Sequence, residues 1–198
     1  MDEIIQLKIS LNNTKPPIWR RVLVEKHTSF FELHLVMQFA MGWDFAHLYE
    51  FEIDHERISE KSEEDIDFDP FADDIREAKE TFLDDFMLGE GVKFKYWYDF
   101  GDDWKHTIVI EKLLPRDASV SYPVCTGGKR QCPPEDCGGV WGFNHLLEVL
   151  DDEKHPDHKE MLEWIGSQFD PEYFDIKEVN HELADVKQYV NRKFTDDF

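Results

Sequence analysis

The sequence lacks a surplus of positive charge. Its 198 residues include 22 lysines and arginines against 44 aspartates and glutamates, which gives a formal net charge of −22. Nucleic-acid binding gains most of its affinity from cations that replace the counterions of phosphates. The densest basic cluster is only Lys15, Arg20 and Arg21, so direct binding of nucleic acid or of an anionic membrane is unfavourable. The charge favours a basic protein partner or a cation.

Long apolar runs are also missing. No stretch approaches the ~18 residues that a membrane span requires, and the first ten residues lack the basic start and apolar segment of a secretion signal. Hydrophobic residues nevertheless make up 41% of the chain and aromatic residues 14%, which is too much for a disordered acidic polymer. The sequence therefore predicts an acidic, globular, cytoplasmic protein.

Cysteine is scarce, and common catalytic motifs are absent. The chain has neither a G-x-S-x-G nucleophile motif nor a glycine-rich phosphate loop, so no cofactor is evident. The odd number of cysteines argues against a disulfide framework. Cys125, Cys132 and Cys137 are spaced more widely than the usual zinc pairs, and a zinc site would need His106 or His145 as a fourth ligand. A zinc site at these residues and three partly buried thiols both remain open interpretations.

The hydrophobic pattern predicts a single α+β domain over residues 1–198, with about five strands in an antiparallel or mixed sheet and helices packed on it. Strands dominate the first half and helices the last quarter. The order strand, strand, helix, strand over 1–54 would suit a ubiquitin-like (β-grasp) half. The remaining segments are an acidic excursion (55–90), a hairpin (91–114), a loop rich in Cys, Pro and Gly (115–142) and a helical region (143–190).

Two helix predictions depend on local signals. Ser29 and Glu32 have the spacing of a capping box, and Gly42 follows the apolar run where a helix would end. The second prediction is a helix from about 70 to 86, inside a segment (56–85) with 13 acidic and 4 basic residues.

Acidic residues gather at two places that core packing does not explain. Asp99, Asp102 and Asp103 flank the turn of the predicted hairpin, and Glu135 and Asp136 lie on the glycine-flanked loop beyond it. His106 follows the turn, and strand alternation places it on the apolar face with Trp104 and Ile108. We predict that the following residues line one polar pocket: Asp99, Asp102, Asp103, His106, Glu135 and Asp136.

Several strings together resemble one family. They are K-P-P-I-W-R-R (15–21), M-G-W (41–43), H-L-Y-E-F (47–51), D-F-G-D-D-W-K-H (99–106), C-P-P-E-D-C-G-G (132–139) and H-P-D-H (155–158). On these the chain resembles the plasmid pRiA4b ORF-3-like family from about residue 4 to residue 180. The resemblance brings no established activity. Some members are labelled resolvase-like or as passengers of insertion elements.

The leading functional hypothesis is a non-enzymatic binding or regulatory protein that uses the polar pocket. A metal-dependent, hydrolase-like enzyme is the first alternative, with His106 and nearby carboxylates or cysteines holding the ion and activating water. A DNA-processing accessory factor associated with mobile elements is the second. A recombinase would need clustered arginines to hold a transferring phosphoryl group, and the seven arginines here are scattered apart from Arg20 and Arg21.

Overall fold

A computed structural model of the chain describes residues 3–61, 74–166 and 169–195. The fold is α+β, and the strands of the described residues form one mixed sheet in the order β5-β4-β3-β6-β7-β1-β2-β8. Only β4 and β5 pair in parallel. The strands are β1 (Glu3–Leu11), β2 (Trp19–Glu25), β3 (Tyr49–Ile53), β4 (Glu56–Ser59), β5 (Ile75–Glu77), β6 (Lys93–Tyr98), β7 (Trp104–Pro115) and β8 (Val124–Lys129).

The helices of the described residues belong mostly to the last third of the chain. None of them is long and apolar enough to cross a membrane. Their bounds are α1 (Phe30–Met41), α2 (Gly139–Asp151), α3 (His158–Ile165), α4 (Ile176–Leu183) and α5 (Val186–Thr195).

Strand β1 is an interior strand of the sheet, and its side chains form part of the core. Its alternating Ile5, Leu7 and Ile9 are fully buried, as the period-two pattern predicts. β1 pairs antiparallel with β2 on one side and with β7 on the other. The sheet has eight strands in the described residues, not the expected five or so, and the ubiquitin-like arrangement is not confirmed.

Helix α1 has the ends that the sequence predicts. The Ser29 hydroxyl accepts a hydrogen bond from the Glu32 amide, and the Glu32 carboxylate accepts one from the Ser29 amide. Gly42 ends the helix in the left-handed region, at φ 80°. Nearly every α1 residue is buried because the sheet covers one side and the C-terminal helices cover the other, where Phe39 contacts Tyr189.

The acidic excursion differs from the prediction. Within the described residues, 74–86 contain strand β5 and a short 3-10 turn at Leu83–Asp85, so the predicted helix over 70–86 is wrong there; residues 70–73 lie outside the described part. Ala78 and Leu83 are fully buried, and β5 pairs with β4. Strand pairing therefore satisfies backbone groups that a helix would otherwise have satisfied internally.

The segment 115–142 is more ordered than a loop. It contains β8, which forms the edge of the sheet beside β2, and α2 begins at Gly139 rather than near 143. The side-chain amide of Asn180 on α4 binds both backbone groups of Cys125 on β8. Asn180 Oδ1 accepts from the Cys125 amide at 2.7 Å, and Asn180 Nδ2 donates to the Cys125 carbonyl at 2.9 Å.

Candidate functional site

Three connections meet at one end of the sheet. They are the α1–β3 connection (42–48), the β6–β7 turn (99–103) and the loop 132–139. The Trp43 indole donates a hydrogen bond to the Pro133 carbonyl at 2.9 Å, and the Asp44 amide donates to Glu135 Oε1 at 3.0 Å. These bonds fix the loop 132–139 against the end of α1.

The carboxylate of Asp99 organises the hairpin turn. Asp99 has a left-handed backbone, at φ 53°, a conformation that aspartate tolerates better than most residues. Its Oδ1 accepts hydrogen bonds from the amides of Gly101 at 2.9 Å and Asp102 at 3.2 Å. Its Oδ2 lies 3.6 Å from Nε2 of His47. The turn therefore fixes one oxygen and presents the other to the imidazole.

Glu135 is held in a similar way. Its Oε1 accepts hydrogen bonds from the Tyr98 hydroxyl at 2.9 Å and from the Asp44 amide. Burial, and then the adjacent Glu135 carboxylate, raise the pKa of Tyr98 far above its usual value, so Tyr98 remains a donor. Glu135 Oε2 is buried without a hydrogen-bond partner and lies 3.8 Å from Nε2 of His47.

The His47 imidazole lies between these carboxylates. Its Nε2 is buried and makes no hydrogen bond, although Asp136 Oδ1 is also only 3.3 Å away. One ligand atom each from His47, Asp99 and Glu135 lies within 4.8 Å of the others. We call these three residues the His47 cluster; among the described residues, it is the one group of His, Cys, Asp and Glu side chains close enough to hold a metal ion.

The donor set of the His47 cluster suits a divalent cation. An imidazole nitrogen and carboxylate oxygens bind Zn²⁺ and Mn²⁺. The two buried atoms without hydrogen bonds, His47 Nε2 and Glu135 Oε2, face one another across the cluster. A buried polar atom without a partner is costly, and an ion between them would remove that cost.

The structure brings together some of the predicted pocket residues. Asp99 and Glu135 belong to the His47 cluster, and Asp136 lies at its exposed rim. Asp102 Oδ2 accepts a hydrogen bond from the Gly138 amide at 3.1 Å, which joins the turn to the loop. Asp103 lies outside the cluster, and its carboxylate pairs with Lys105.

His106 lies in the core, not in the cluster. It is fully buried, its ring contacts those of Trp43 and Tyr96, and neither ring nitrogen has a hydrogen-bond partner. Burial lowers its pKa from 6.5 to about 3, so the imidazole is neutral at physiological pH. Strand alternation correctly predicts that His106 lies on the apolar face. Because it is buried there, it does not join the acidic residues in a polar pocket.

The cysteines do not form a metal site within the described residues, where no metal-binding group includes any of them. Cys132 Sγ lies 3.3 Å from the Arg20 guanidinium, and the Cys125 thiol donates to the Gly127 carbonyl. Burial raises the pKa of all three thiols, that of Cys137 to about 12. They are protonated, unreactive side chains at neutral pH.

Sequence reasoning missed His47 as a candidate. It belongs to the string H-L-Y-E-F (47–51), which overlaps the last predicted strand of residues 1–54 and supplies none of the predicted pocket residues. The available signal was a histidine immediately before a strand, in the same family-like set as the two acidic strings. Metal-ligand spacing could not identify His47, because its partners come from distant parts of the chain. Its membership of a family-like string was the only available indication.

A cavity of about 780 Å³ adjoins the His47 cluster. Cys132, Pro133, Pro134 and Glu135 of the loop form one wall, and residues of the C-terminal helices and their connections form the opposite one. Glu135 belongs to both the cavity and the cluster. His106 does not line this cavity.

Two adjacent glycines allow the loop to approach the hairpin turn. Gly138 and Gly139 have φ values of 86° and 65°. A Cβ atom on Gly139 would overlap the Asp102 carbonyl, whereas one on Gly138 would make an ordinary contact with the Gly142 Cα at 3.5 Å. Glycine at 139 is therefore required by space as well as by backbone conformation.

Alanine substitutions separate these two requirements. Gly138→Ala should lower the free energy of unfolding by about 1–2 kcal/mol through left-handed strain. Gly139→Ala should lower it by about 3 kcal/mol or more, because the loop must also move away from Asp102. Urea unfolding followed by tryptophan fluorescence measures both. Equal losses in the two variants would contradict the close contact between loop and turn.

The fold and site define an acidic α+β protein with a histidine–carboxylate cluster where three connections meet. A sequence profile described as "Plasmid pRiA4b ORF-3-like protein" matches residues 3–178, and the chain belongs to this family. It is 35% identical over 192 residues to "Uncharacterized protein y4hQ" of Sinorhizobium fredii (strain NBRC 101917 / NGR234), covering 96% of this chain and 95% of the relative.

A solved structure has the same fold. It is the crystal structure of "Protein of Unknown Function MM3350" from Methanosarcina mazei Go1, which is similar to this chain with a TM-score of 0.80 and 37% identity. The similarity covers 89% of this chain and 97% of the other. Neither the family nor these relatives have an assigned activity in their descriptions.

Proposed function

We propose that the protein is a non-enzymatic binding protein that holds a divalent cation. The ligands of this ion are His47, Asp99 and Glu135. The observation that carries the proposal is the pair of buried atoms without a hydrogen bond, His47 Nε2 and Glu135 Oε2, which lie 3.8 Å apart. Because the three ligands come from three connections, an ion would tie the hairpin turn and the loop 132–139 to the end of α1.

The charge of the molecule supports a cation as the ligand. A chain with a formal net charge of −22 concentrates cations near its surface and repels anions. We extend the proposal to a cytoplasmic protein with no direct contact to DNA. An association with mobile elements would then act through a protein partner rather than through nucleic acid.

Titration of the metal-free protein tests the cation site. After EDTA treatment and desalting, Zn²⁺ or Mn²⁺ should bind with one ion per chain in calorimetry at pH 7.5. The ion should also raise the unfolding temperature, since a ligand that binds only the folded state stabilises it. Binding should weaken in acid, because metal ligands must be deprotonated to hold the ion.

Two isosteric variants decide whether the His47 cluster binds the ion. Glu135→Gln keeps an oxygen that accepts from Tyr98 and Asp44, but it removes a charged ligand, so the affinity should fall roughly tenfold or more. Asp103→Asn makes the same charge change on the hairpin turn, where its partner is Lys105, and should leave the affinity unchanged. Equal weakening, or a wild-type protein that binds neither ion, would show that the cluster is only an ion-pair network.

A metal-dependent hydrolase is the second candidate. The specific observation in its favour is that three protein ligands leave coordination positions for water, and that Glu135 also faces the cavity. Hydrolysis of ester or phosphoester probes that requires the added ion and is lost in Glu135→Gln would favour the enzyme over the binding protein.

A further inference from the structure

The cavity beside the His47 cluster combines an aromatic and aliphatic lining with carboxylates. Its aromatic residues are Phe169, Tyr173 and Phe174. Its carboxylates come from the connection after α1, the loop 132–139 and helix α4 with its cap; they are Asp44, Glu135, Asp175 and Glu178. A volume of about 780 Å³ lies within the range of small-molecule sites.

Arg20 is the one cationic side chain among the described residues that line the cavity, and four of its five N–H donors are already used. Nε donates to the Ala40 carbonyl at 2.8 Å, and Nη1 donates to the carbonyls of Trp19 and Lys129. Nη2 donates to Cys132 Sγ. The Phe174 ring covers the guanidinium, with Arg20 Cζ 4.8 Å from the ring centroid. Arg20 is therefore a structural cation with little capacity for an anionic ligand.

Asp44 and Glu178, by contrast, retain accessible oxygens. Both side chains are exposed. The Glu178 carboxylate also accepts a hydrogen bond from the Tyr173 hydroxyl, which raises the pKa of Tyr173. Asp175 uses one oxygen to accept from the Lys177 amide at 2.7 Å as the cap of α4. Four carboxylates against one occupied guanidinium give the cavity a negative potential, which attracts cations and repels anions.

We propose that this cavity binds an organic ammonium ion with an apolar body, such as an arylalkylamine. The ammonium group would pair with Asp44 and Glu178, while the apolar body would pack against Phe169 and Phe174. Aromatic faces attract organic ammonium groups, and the carboxylates add charge complementarity. Glu135 is shared with the metal site, but the residues proposed to contact the ligand, Asp44, Glu178, Phe169 and Phe174, lie outside the His47 cluster, so the proposal can be tested without a metal ion.

Three ligands of similar shape and different charge test the proposal. Calorimetry with 2-phenylethylammonium, neutral 2-phenylethanol and anionic 3-phenylpropionate is carried out on the full chain in EDTA, so that failure of the cation site does not affect the result. The ammonium ion should bind at least tenfold more tightly than the alcohol, and the carboxylate should not bind. Higher salt should weaken the ammonium complex.

Matched variants assign the binding to the cavity. Glu178→Gln should weaken ammonium binding severalfold, and Glu178→Gln combined with Asp44→Asn should weaken it tenfold or more. Glu182→Gln, which makes the same change at an exposed position of α4 outside the cavity, should have no effect. The proposal is overturned if the three ligands bind equally, if the carboxylate binds best, if none binds, or if Glu182→Gln weakens binding as much as Glu178→Gln.

Discussion

Replacement of Arg20 by methionine is expected to lower the free energy of unfolding by about 3–4 kcal/mol, because each buried carbonyl left without a donor costs about 1–3 kcal/mol. Arg20 is only 4% exposed. Its guanidinium satisfies the Ala40 carbonyl at the end of α1 and two carbonyls on the β2–β8 pair. Methionine fills similar space but donates no hydrogen bond, so urea unfolding should show the loss directly.

The neighbouring arginine is the control for this prediction. Arg21 lies on the same strand, and its guanidinium pairs with Glu111 while its side chain is 32% exposed. Arg21→Met should cost about 1 kcal/mol or less, as partly exposed ion pairs do. If the two variants lose the same stability, the carbonyl contacts of Arg20 are not what holds α1 to the sheet edge.

His106→Leu is expected to remove a large part of the acid sensitivity of the protein. The pKa of His106 is lowered to about 3 in the folded state, against about 6.5 when unfolded. Only the unfolded state therefore gains this proton as the pH falls from 6.5 to 3, and stability is lost across that window. The full difference amounts to about 5 kcal/mol. Above pH 7 both states are neutral, and the leucine loses no hydrogen bond.

Urea unfolding from pH 8 to pH 4 compares the wild type with this variant. The gap in stability should open below pH 6.5 in favour of His106→Leu. His181→Leu, a change at an exposed histidine on α4, should follow the wild type. Parallel curves for wild type and His106→Leu would mean that the buried imidazole accepts its proton in the folded state.

The parts of the fold that the sequence predicts are those with strong local signals. Alternating apolar residues identify β1, and the spacing of Ser29 and Glu32 identifies the start of α1, where both reciprocal hydrogen bonds form. Strands β4, β5 and β8 were not predicted, because each depends on its partner. β5 has three residues with no buried face of its own, and β8 contains two glycines and is defined by its pairing with β2. Pairing across long sequence distances leaves little trace in a local pattern.

The candidate site shows the same division. Acidic residues in turns stand out in a sequence, so Asp99 and Glu135 could be named. His47 could not, because its role depends on two segments that lie 52 and 88 positions further along the chain. His106 carried the opposite signal. Its position beside the acidic turn suggested a functional role, whereas strand alternation placed it in the core. The structure buries it in the core.

The pairing of Asn180 with Cys125 has a consequence for the protein in concentrated solution. The last strand of an open sheet is a template on which a second molecule can add its own strand and begin aggregation. At Cys125 the donor and the acceptor that such a strand would use are already taken by a side-chain amide. Asn180 thus blocks strand addition at this position of the sheet edge and opposes edge-to-edge polymerisation.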